Sequence, residues 1–395
     1  MGWTDVAASS STGIYSARIL FGDRMSRLKE FEALLIVLAY ALSLLGCGGS
    51  STGRQSAQSI SIPKEFVFAA QTGTNSIITF SLDTRTGKLT EVASVSTPNV
   101  VNNMIVDPRG RFLYAGNGAV PFGTLPGDTS LYGYSINPST GVLTPITGSP
   151  FAVGYTFSME LQTDSNGKFL YMGGSLFNTI TALSIDQQTG ALSPLAIPSN
   201  NPVSKVAEFL ATKNGMMLSV STSGTTLSSW DIDPNTGAWN HLIDISIPNQ
   251  SVTLAVDPSG KFVYANSAGF MLDPATGSLM AISGQQPAPT FFNPVQPFAY
   301  SIDVSSSSKY AVAGFSLNTS NGQLTPLPSA ITGGFATGTV DASGKFVVLC
   351  GMQVFAVDSS TGGLTPVQSP SLPSVALATY PPVQVSCGPL GCSQF

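Results

Sequence analysis

The chain has 395 residues, of which 43% are apolar and only 9% are Asp, Glu, Lys or Arg, with a formal net charge of −5. Typical globular domains carry about 25% charged residues. The composition therefore excludes a charge-rich disordered chain, a coiled coil and a basic nucleic-acid-binding protein. The 40 glycines and 27 prolines instead predict many tight turns.

Residues 26–46 predict an export signal. A short charged segment precedes an uncharged run of 13 residues from Ala33 to Leu45, whereas a membrane-spanning helix needs about 20 apolar residues. The run ends in Leu-Leu-Gly-Cys47, which resembles the lipobox of bacterial lipoproteins, where the signal peptidase cuts before a cysteine that then receives a lipid. We expect Cys47 to anchor the protein to a membrane of the bacterial cell envelope, on the extracytoplasmic side. The alternative is an ordinary apolar segment with an accidental cysteine.

A turn built around Thr-Gly recurs along the rest of the chain. Its pattern is Asp or Asn, two variable residues, Thr-Gly, one variable residue and Leu-Thr, with Asn-Gly in one copy. The first side chain caps the turn, and the glycine supplies the positive φ that closes a hairpin. The glycines recur roughly every 40 to 54 residues at Gly87, Gly141, Gly190, Gly237, Gly277, Gly322 and Gly362.

A second unit lies between these turns. It reads Asp-Pro-x-Gly-Lys and continues into an apolar strand with aromatic residues. A short strand precedes each copy, so one unit of about 45 residues holds four short strands, which is typical of a propeller blade. Clear copies span residues 107–114, 164–171, 257–264 and 341–348, and degenerate copies begin at Thr212 and Ser305.

The two ends of this region complement each other. Residues 66–70 form a second strand without a first, and residues 374–379 form a first strand without a second. Together they would make one shared blade and remove the exposed sheet edges. The sequence therefore predicts an all-β, seven-bladed β-propeller of four-stranded antiparallel blades, closed by its N- and C-terminal strands; the alternative is a two-sheet β-sandwich with coincidental turns.

The predicted domain boundaries follow from these features. Met25 directly precedes the charged segment of the export signal, so the residues before it are an upstream extension or a misplaced start. Cys350 lies in an apolar strand and is expected to be a buried thiol, whereas Cys387 and Cys392 could close a small disulfide loop. The segments are 1–24 (extension), 25–46 (lipoprotein signal peptide), 47–59 (Gly/Ser-rich linker), 60–380 (propeller) and 381–395 (C-terminal tail).

The two motifs together resemble those of the seven-bladed β-propeller lactonase family, over about residues 60–380. The family includes the propeller-type 6-phosphogluconolactonases and muconate-lactonising relatives. Its enzymes carry Pro-Arg-His in one innermost strand, with the His four residues before the Asp of the turn, and an acid after a Phe-x-Tyr strand. This sequence has neither feature. Its single His241 is predicted to lie on an outermost strand, and the positions four residues before the turns hold Asn103, Glu160, Glu208, Thr253, Ser301 and Thr337.

These six polar residues are expected to share one face of the innermost strands and to line the central channel. Glu160 and Glu208 come from consecutive blades, and two nearby carboxyl groups with separated pKa values can act as general acid and base. Lys205 is placed near the channel mouth. The alternative is a polar channel that only holds water. Residues 117–130 and 283–297 are interpreted as inserted loops. The second carries Phe291 and Phe292, which could stack on a sugar or contact a protein, although packing over the channel explains them equally well.

Two functions follow from this sequence. The first is an envelope-anchored propeller that binds a small sugar-like or lactone ligand or an envelope protein, without the usual catalytic His and Arg of the family. The second is an extracytoplasmic lactone hydrolase, a carboxylic ester hydrolase that uses Glu160, Glu208 and Lys205. We expect no cofactor, no nucleic-acid partner and a monomer. One histidine and no paired Cys-x-x-Cys argue against a metal site.

Overall fold

The computed structural model describes residues 64–71, 74–117, 130–153, 160–174, 179–195, 206–248, 253–303, 310–333, 338–367 and 374–382. The predicted export signal, the linker, Cys47, Cys387 and Cys392 lie outside these residues. Within them, no helix is long and apolar enough to cross a membrane.

The described residues form short strands throughout. Numbered in chain order, they are β1 Glu65–Gln71, β2 Ser76–Leu82, β3 Leu89–Ser96, β4 Val101–Val106, β5 Phe112–Asn117, β6 Ser130–Ile136, β7 Leu143–Pro145, β8 Phe151–Ala152, β9 Glu160–Thr163, β10 Phe169–Gly174, β11 Thr179–Ile185, β12 Leu192–Pro194, β13 Val206–Ala211, β14 Met216–Ser221, β15 Thr226–Ile232, β16 Trp239–Ser246, β17 Leu254–Val256, β18 Phe262–Ala265, β19 Ala268–Leu272, β20 Leu279–Ala281, β21 Phe291–Phe292, β22 Phe298–Asp303, β23 Tyr310–Leu317, β24 Leu324–Gly333, β25 Gly338–Val340, β26 Phe346–Leu349, β27 Gln353–Val357, β28 Leu364–Val367 and β29 Ser374–Tyr380.

These strands pair into seven antiparallel sheets, the blades of a propeller. The closing blade has the order β29-β1-β2-β3, and blade 2 has the order β4-β5-β6-β7 with β8 as an extra partner of β6. Blades 3 to 7 are β9 to β12, β13 to β16, β17 to β20, β21 to β24 and β25 to β28. The innermost strands contact one another in a closed circle: β29, β4, β9, β13, β17, β21, β25 and β29 again. The predicted seven-bladed propeller is confirmed.

The closing blade joins the two ends of the propeller region. Strand β29 pairs antiparallel with β1, from Tyr380 opposite Phe66 to Ala376 opposite Ala70. The backbone groups of β1 therefore have partners on both sides, β2 and β29. This pairing confirms the prediction that the chain ends share one blade.

Where a turn joins the first and second strands of a blade, it depends on a buried polar side chain. Asp164 is 4% exposed, and its Oδ1 accepts hydrogen bonds from the backbone N–H groups of Lys168 at 2.6 Å and Phe169 at 2.7 Å. Asp257 binds Lys261 and Phe262 in the same way. The Asp of the second repeat unit is therefore a turn cap, and its carboxylate is already occupied by backbone donors.

In blade 6, the predicted position of this turn is wrong. The turn lies at Asn293, whose Oδ1 accepts from the N–H groups of Val295 at 3.0 Å and Gln296 at 2.9 Å. Asn293 and the nearby prolines depart from the Asp-Pro-x-Gly-Lys pattern, whereas the Ser-rich stretch beginning at Ser305 resembles a degenerate copy of it. As a consequence, Ser301 lies on β22, the second strand of the blade, opposite Ala313. It is not part of the innermost strand, as predicted.

Neighbouring blades are locked together by the two repeat units. The Thr-Gly turn of each blade packs on a large apolar side chain at the start of the second strand in the preceding blade. A Cβ atom on Gly237 would lie 2.8 Å from the ring of Phe169, so this approach requires glycine, as does its φ of +72°. The contacting pairs are Gly87 with Phe346, Gly141 with Phe66, Gly190 with Phe112, Gly237 with Phe169, Gly277 with Met216, Gly322 with Phe262 and Gly362 with Phe298.

A buried hydroxyl group completes most of these locks. In blade 3, for example, Tyr171 donates to the carbonyl oxygen of Gly237 at 2.8 Å. In blade 4, Leu218 replaces the tyrosine, and its cross-strand partner Ser229 donates to Gly277 O instead, at 2.7 Å. The closing blade does the same, with Thr79 opposite Phe68. The other tyrosine locks join Tyr114 to Gly190, Tyr264 to Gly322 and Tyr300 to Gly362.

Removing one of these hydroxyl groups should destabilise the ring. We expect Tyr171→Phe and Ser229→Ala each to lower the free energy of unfolding by about 1–3 kcal/mol, because each leaves a buried carbonyl oxygen without its donor. Urea unfolding followed by circular dichroism measures the loss. The matched control is Ser184→Ala, which removes an exposed hydroxyl bonded to Ser193 O at 3.3 Å and should change the free energy by less than about 0.5 kcal/mol. Equal losses in all three variants would contradict this role.

The apolar core lies between the blades. One cluster joins Phe66 and Phe68 of the closing blade to Met104 and Val106 of blade 2, and comparable clusters fill other blade junctions. Cys350, 5% exposed, is a buried thiol in the cluster between blade 7 and the closing blade, as predicted. The core therefore fixes the positions of the innermost strands around the central axis.

Candidate ligand-binding site in the central channel

A cavity of about 540 Å³ runs along the innermost strands of the ring. Its wall is contributed by β4, β9, β13, β17, β21 and β29. It opens among the turns that join the first and second strands of the blades. We call this opening the mouth, defined by Pro108, Lys213, Pro258, Pro294, Ala342 and Pro382.

Glu160 is a buried acid in the wall of this cavity. It begins β9, is 7% exposed, and accepts hydrogen bonds from the N–H of Phe209 at 3.0 Å and from the Gln162 amide at 3.4 Å. Burial raises its pKa to about 8, and the two hydrogen bonds oppose that rise. Glu160 is therefore largely protonated at neutral pH and can donate a proton to a ligand in the cavity.

Glu208 occupies the corresponding place on the next blade. It is 3% exposed on β13, and the adjacent residue, Phe209, is the donor to Glu160. Glu208 is not among the residues that line the cavity in the described part of the chain. The structure thus brings the two predicted carboxyl groups to neighbouring strands, but only Glu160 to the cavity.

The other predicted site residues lie in different parts of the chain, and one of them lines the cavity. Asn103, 5% exposed, lines the cavity from β4. Thr253 lies just before β17 and contributes its N–H to Asn266 at 3.1 Å. Ser301 lies on a second strand, as described above, and Lys205 and Thr337 lie outside the described residues.

Phe291 and Phe292 form β21, the short innermost strand of blade 6, rather than part of an inserted loop as predicted. They are 2% and 5% exposed and their rings pack on Tyr300 and Tyr264, with centroids 5.6 and 5.5 Å apart. Both line the cavity. For both rings the structure shows packing in the channel wall, which was the alternative to a role in ligand stacking.

Sequence reasoning missed further polar residues of the cavity. Gln162, Thr163 and Thr379 line it and are 6%, 6% and 4% exposed. Gln162 lies two residues before the turn Asp, on the same face of the strand as Glu160, so the alternation used for Glu160 could have found it. Thr379 belongs to β29, the first strand of the closing blade. No turn joins this strand to the second strand, so counting residues back from a turn could not identify Thr379.

His241 lies on β16, the outermost strand of blade 4, as predicted. Its Nε2 and the hydroxyl of Ser228 both bind Asp244 Oδ1, at 2.8 and 2.6 Å. The histidine therefore stands beside the serine rather than between serine and acid, as nucleophilic catalysis would require. Among the residues that the structure describes, no three His, Cys, Asp or Glu side chains are placed to hold a metal ion.

Comparisons with known proteins point in one direction. A family model described as "Lactonase, 7-bladed beta-propeller" matches residues 41–119 and 99–209. A 6-phosphogluconolactonase of Xenorhabdus nematophila is 26% identical over 141 residues, which are 35% of this chain and 38% of that protein. The chain thus aligns with well under half the length of this curated relative. These matches support the lactonase propeller family.

Solved structures share the fold. A putative 6-phosphogluconolactonase from Bacteroides uniformis superposes with a TM-score of 0.63 at 17% identity, over 80% of this chain and 100% of that one. The periplasmic gluconolactonase PpgL of Pseudomonas aeruginosa gives a TM-score of 0.59 at 16% identity, over 80% and 99%. At these identities the likeness shows the propeller fold alone.

Proposed function

We propose that this chain is a lactonase-type propeller whose central cavity binds a small lactone or sugar-like ligand. The observation that carries this proposal is the cavity of about 540 Å³ with the buried Glu160 in its wall. Small-molecule sites typically measure about 300–1,000 Å³ and combine apolar walls with a few convergent polar groups. Asn103, Glu160 and Gln162 are such groups, and Phe291 and Phe292 belong to the apolar wall.

Binding without turnover is the first form of this function. The resemblance to the lactonase family implies a histidine in an innermost strand, and the single histidine of this chain lies on an outermost strand. A polar ligand would be held by the Asn103 amide and by the protonated Glu160 carboxyl, each able to hydrogen-bond a hydroxyl or carbonyl oxygen.

Lactone hydrolysis is the second candidate, favoured by the raised pKa of Glu160. Water would attack the lactone carbonyl carbon, the ring C–O bond would break, and protonated Glu160 would give its proton to the departing alkoxide and regain one from the attacking water, yielding a hydroxy acid. Such activity would decline above about pH 8, where Glu160 loses this proton. The names of the relatives, 6-phosphogluconolactonase and gluconolactonase, describe reactions of this class.

The cellular location is part of the proposal. We place the propeller outside the cytoplasmic membrane, anchored through a lipid on Cys47 and free to meet a small ligand or an envelope protein. The lipobox-like sequence and the Gly/Ser-rich residues 48–53 support this location. Fractionation of expressing cells tests it, because Cys47→Ala should move the protein from the membrane to the soluble fraction.

Replacing Glu160 tests the cavity function. We expect glucono-δ-lactone to bind the wild type in calorimetric titration, and Glu160→Gln to weaken binding by roughly tenfold, because about 1.4 kcal/mol of hydrogen bonding to the ligand would be lost. If the protein is an enzyme, hydrolysis above the uncatalysed rate is lost in the same variant. Glu91→Gln, on the exposed outer strand β3, is the matched control. Absence of binding across a panel of lactones and sugars would overturn the proposal.

A further inference from the structure

Two buried carboxyl groups meet at the junction of blade 7 and the closing blade. Glu65 is the first residue of β1 and is 9% exposed, and Asp341 follows β25 and is 1% exposed. Asp341 lies close enough to act on the Glu65 carboxyl, whose pKa it raises. Glu65 Oε2 also accepts from the N–H of Ala342 at 3.2 Å. A hydrogen bond between two carboxyl groups requires a proton on one of them.

An acid at this position is specific to the closing blade. The residue directly before the large apolar side chain of the second strand is a cation or an uncharged residue in every other blade. Because the closing blade is made from the two chain ends, no turn joins its first and second strands, and Glu65 contacts the turn of blade 7 instead. The corresponding residues in blades 2 to 7 are Arg111, Lys168, Gly215, Lys261, Pro297 and Lys345.

Asp341 accepts hydrogen bonds from its own turn. Its Oδ1 accepts from the N–H of Phe346 at 2.6 Å, and its Oδ2 accepts from the N–H of Ser343 at 3.2 Å and from the Ser343 hydroxyl. Every one of these partners is a donor, and burial raises the pKa of Glu65, so we assign the proton between the two carboxyl groups to Glu65. The charged groups that act on Glu65 are Asp341, which favours the protonated form, and Lys345, which opposes it.

We propose that Glu65 and Asp341 form a proton-dependent clasp that fastens the ring where the chain ends meet. With its proton, Glu65 donates to Asp341 and joins the closing blade to blade 7. Without it, two buried carboxylates face each other and the junction is weakened. The clasp also borders the ligand cavity, because Ala342, whose N–H binds Glu65, is one of the residues that line it.

The direction of the pH dependence follows from linkage. Burial, and then the charge of Asp341, raise the pKa of Glu65 from 4.5 to about 7. The folded chain therefore keeps a proton that the unfolded chain releases between these values. The stability that the clasp contributes is complete below about pH 4.5 and is lost as the pH rises to about 7.

Thermal unfolding of the whole protein across pH 4.5 to 9 tests the clasp. Gln at position 65 keeps an acceptor for Ala342 and removes the negative charge. We expect the Tm of Glu65→Gln, relative to wild type, to rise by several degrees between pH 5 and pH 8. The matched control, Glu91→Gln on exposed β3, should keep a constant difference. Parallel curves for Glu65→Gln and wild type would overturn the proposal.

A second pair of variants tests the partner and guards against a general loss of the turn. Asp257 caps a nearly identical turn in blade 5, with Ser259 and Phe262 bound as Ser343 and Phe346 are in blade 7, but the corresponding residue of the next blade is Pro297. Both Asp→Asn changes weaken a turn cap. Only Asp341→Asn should recover Tm relative to wild type as the pH rises, and equal behaviour of the two would contradict the clasp.

Glu160 also releases a proton in this pH range, so both measurements are repeated in a Glu160→Gln background. The two acids lie on different blades, and their contributions should add. No ligand is needed, so failure of the clasp leaves the proposed cavity function standing, and failure of ligand binding leaves the clasp standing.

Discussion

Deleting residues 374–395 should abolish the folded ring, whereas deleting only residues 383–395 should preserve it. The larger deletion removes β29, which pairs with β1 along its length and buries Ala376, Leu377 and Ala378. Without β29, the backbone of β1 becomes an open sheet edge on the channel, and such edges pair with other chains. Size-exclusion chromatography and the cooperativity of thermal unfolding measure the outcome.

Rescue in trans separates a lost strand from a general defect. A synthetic peptide of residues 371–382, added during refolding of the chain that ends at residue 373, should restore cooperative unfolding. A peptide in which Leu377 is replaced by Asp should not, because Leu377 lies in the core cluster between blade 7 and the closing blade. A chain lacking β29 that melts like wild type would show that the ring is not held closed by this strand.

The second large effect is expected at the aromatic residue of a blade lock. Phe262 is 1% exposed and packs under the Gly322 turn of the next blade. Phe262→Ala should lower the free energy of unfolding by about 3–5 kcal/mol, because it leaves a cavity between two blades. Phe262→Met should cost less than about 1.5 kcal/mol, since Met216 fills the same place against Gly277 in blade 4.

Urea unfolding of both variants gives this comparison. Val295→Ala is the control for apolar truncation as such, because Val295 is 65% exposed and its loss should stay within about 0.5 kcal/mol. If Phe262→Ala and Phe262→Met lower the free energy of unfolding equally, then filling the space under the Gly322 turn does not stabilise the protein as we expect.

The architecture was predictable because each blade repeats the same local chemistry. The Asp cap, the positive-φ glycine and the aromatic strand are read directly from the sequence, and each copy reinforces the others. The predicted turn position was wrong in blade 6, where the Asp of the repeat is replaced. Asn293 caps the blade 6 turn in place of Asp, and the Ser-rich stretch after Ser301 took its place in the sequence-based interpretation. The motifs of neighbouring blades also contact each other, as Phe169 of one blade does with Gly237 of the next. The sequence of a single repeat does not show this contact.

The candidate site was predictable only in part. Alternation along β9 correctly suggested Glu160, but gave the same weight to Glu208, which does not line the described cavity. The register shifts just before Glu208 on β13 and just before Asn103 on β4, yet only Asn103 lines the cavity, so the sequence pattern of one strand does not decide which side chain reaches it. The pKa of Glu160 likewise depends on burial and on the Phe209 N–H of another blade, neither of which is written in the sequence of β9.

The absence of a connecting turn in the closing blade has a geometric consequence. Both ends of the propeller region lie at the cavity opening. Glu65 contacts Ala342, and Ala342 and Pro382 both line the opening. Any group joined to the propeller next to Glu65 or Pro382 would therefore begin beside the cavity opening, on the route by which a ligand enters.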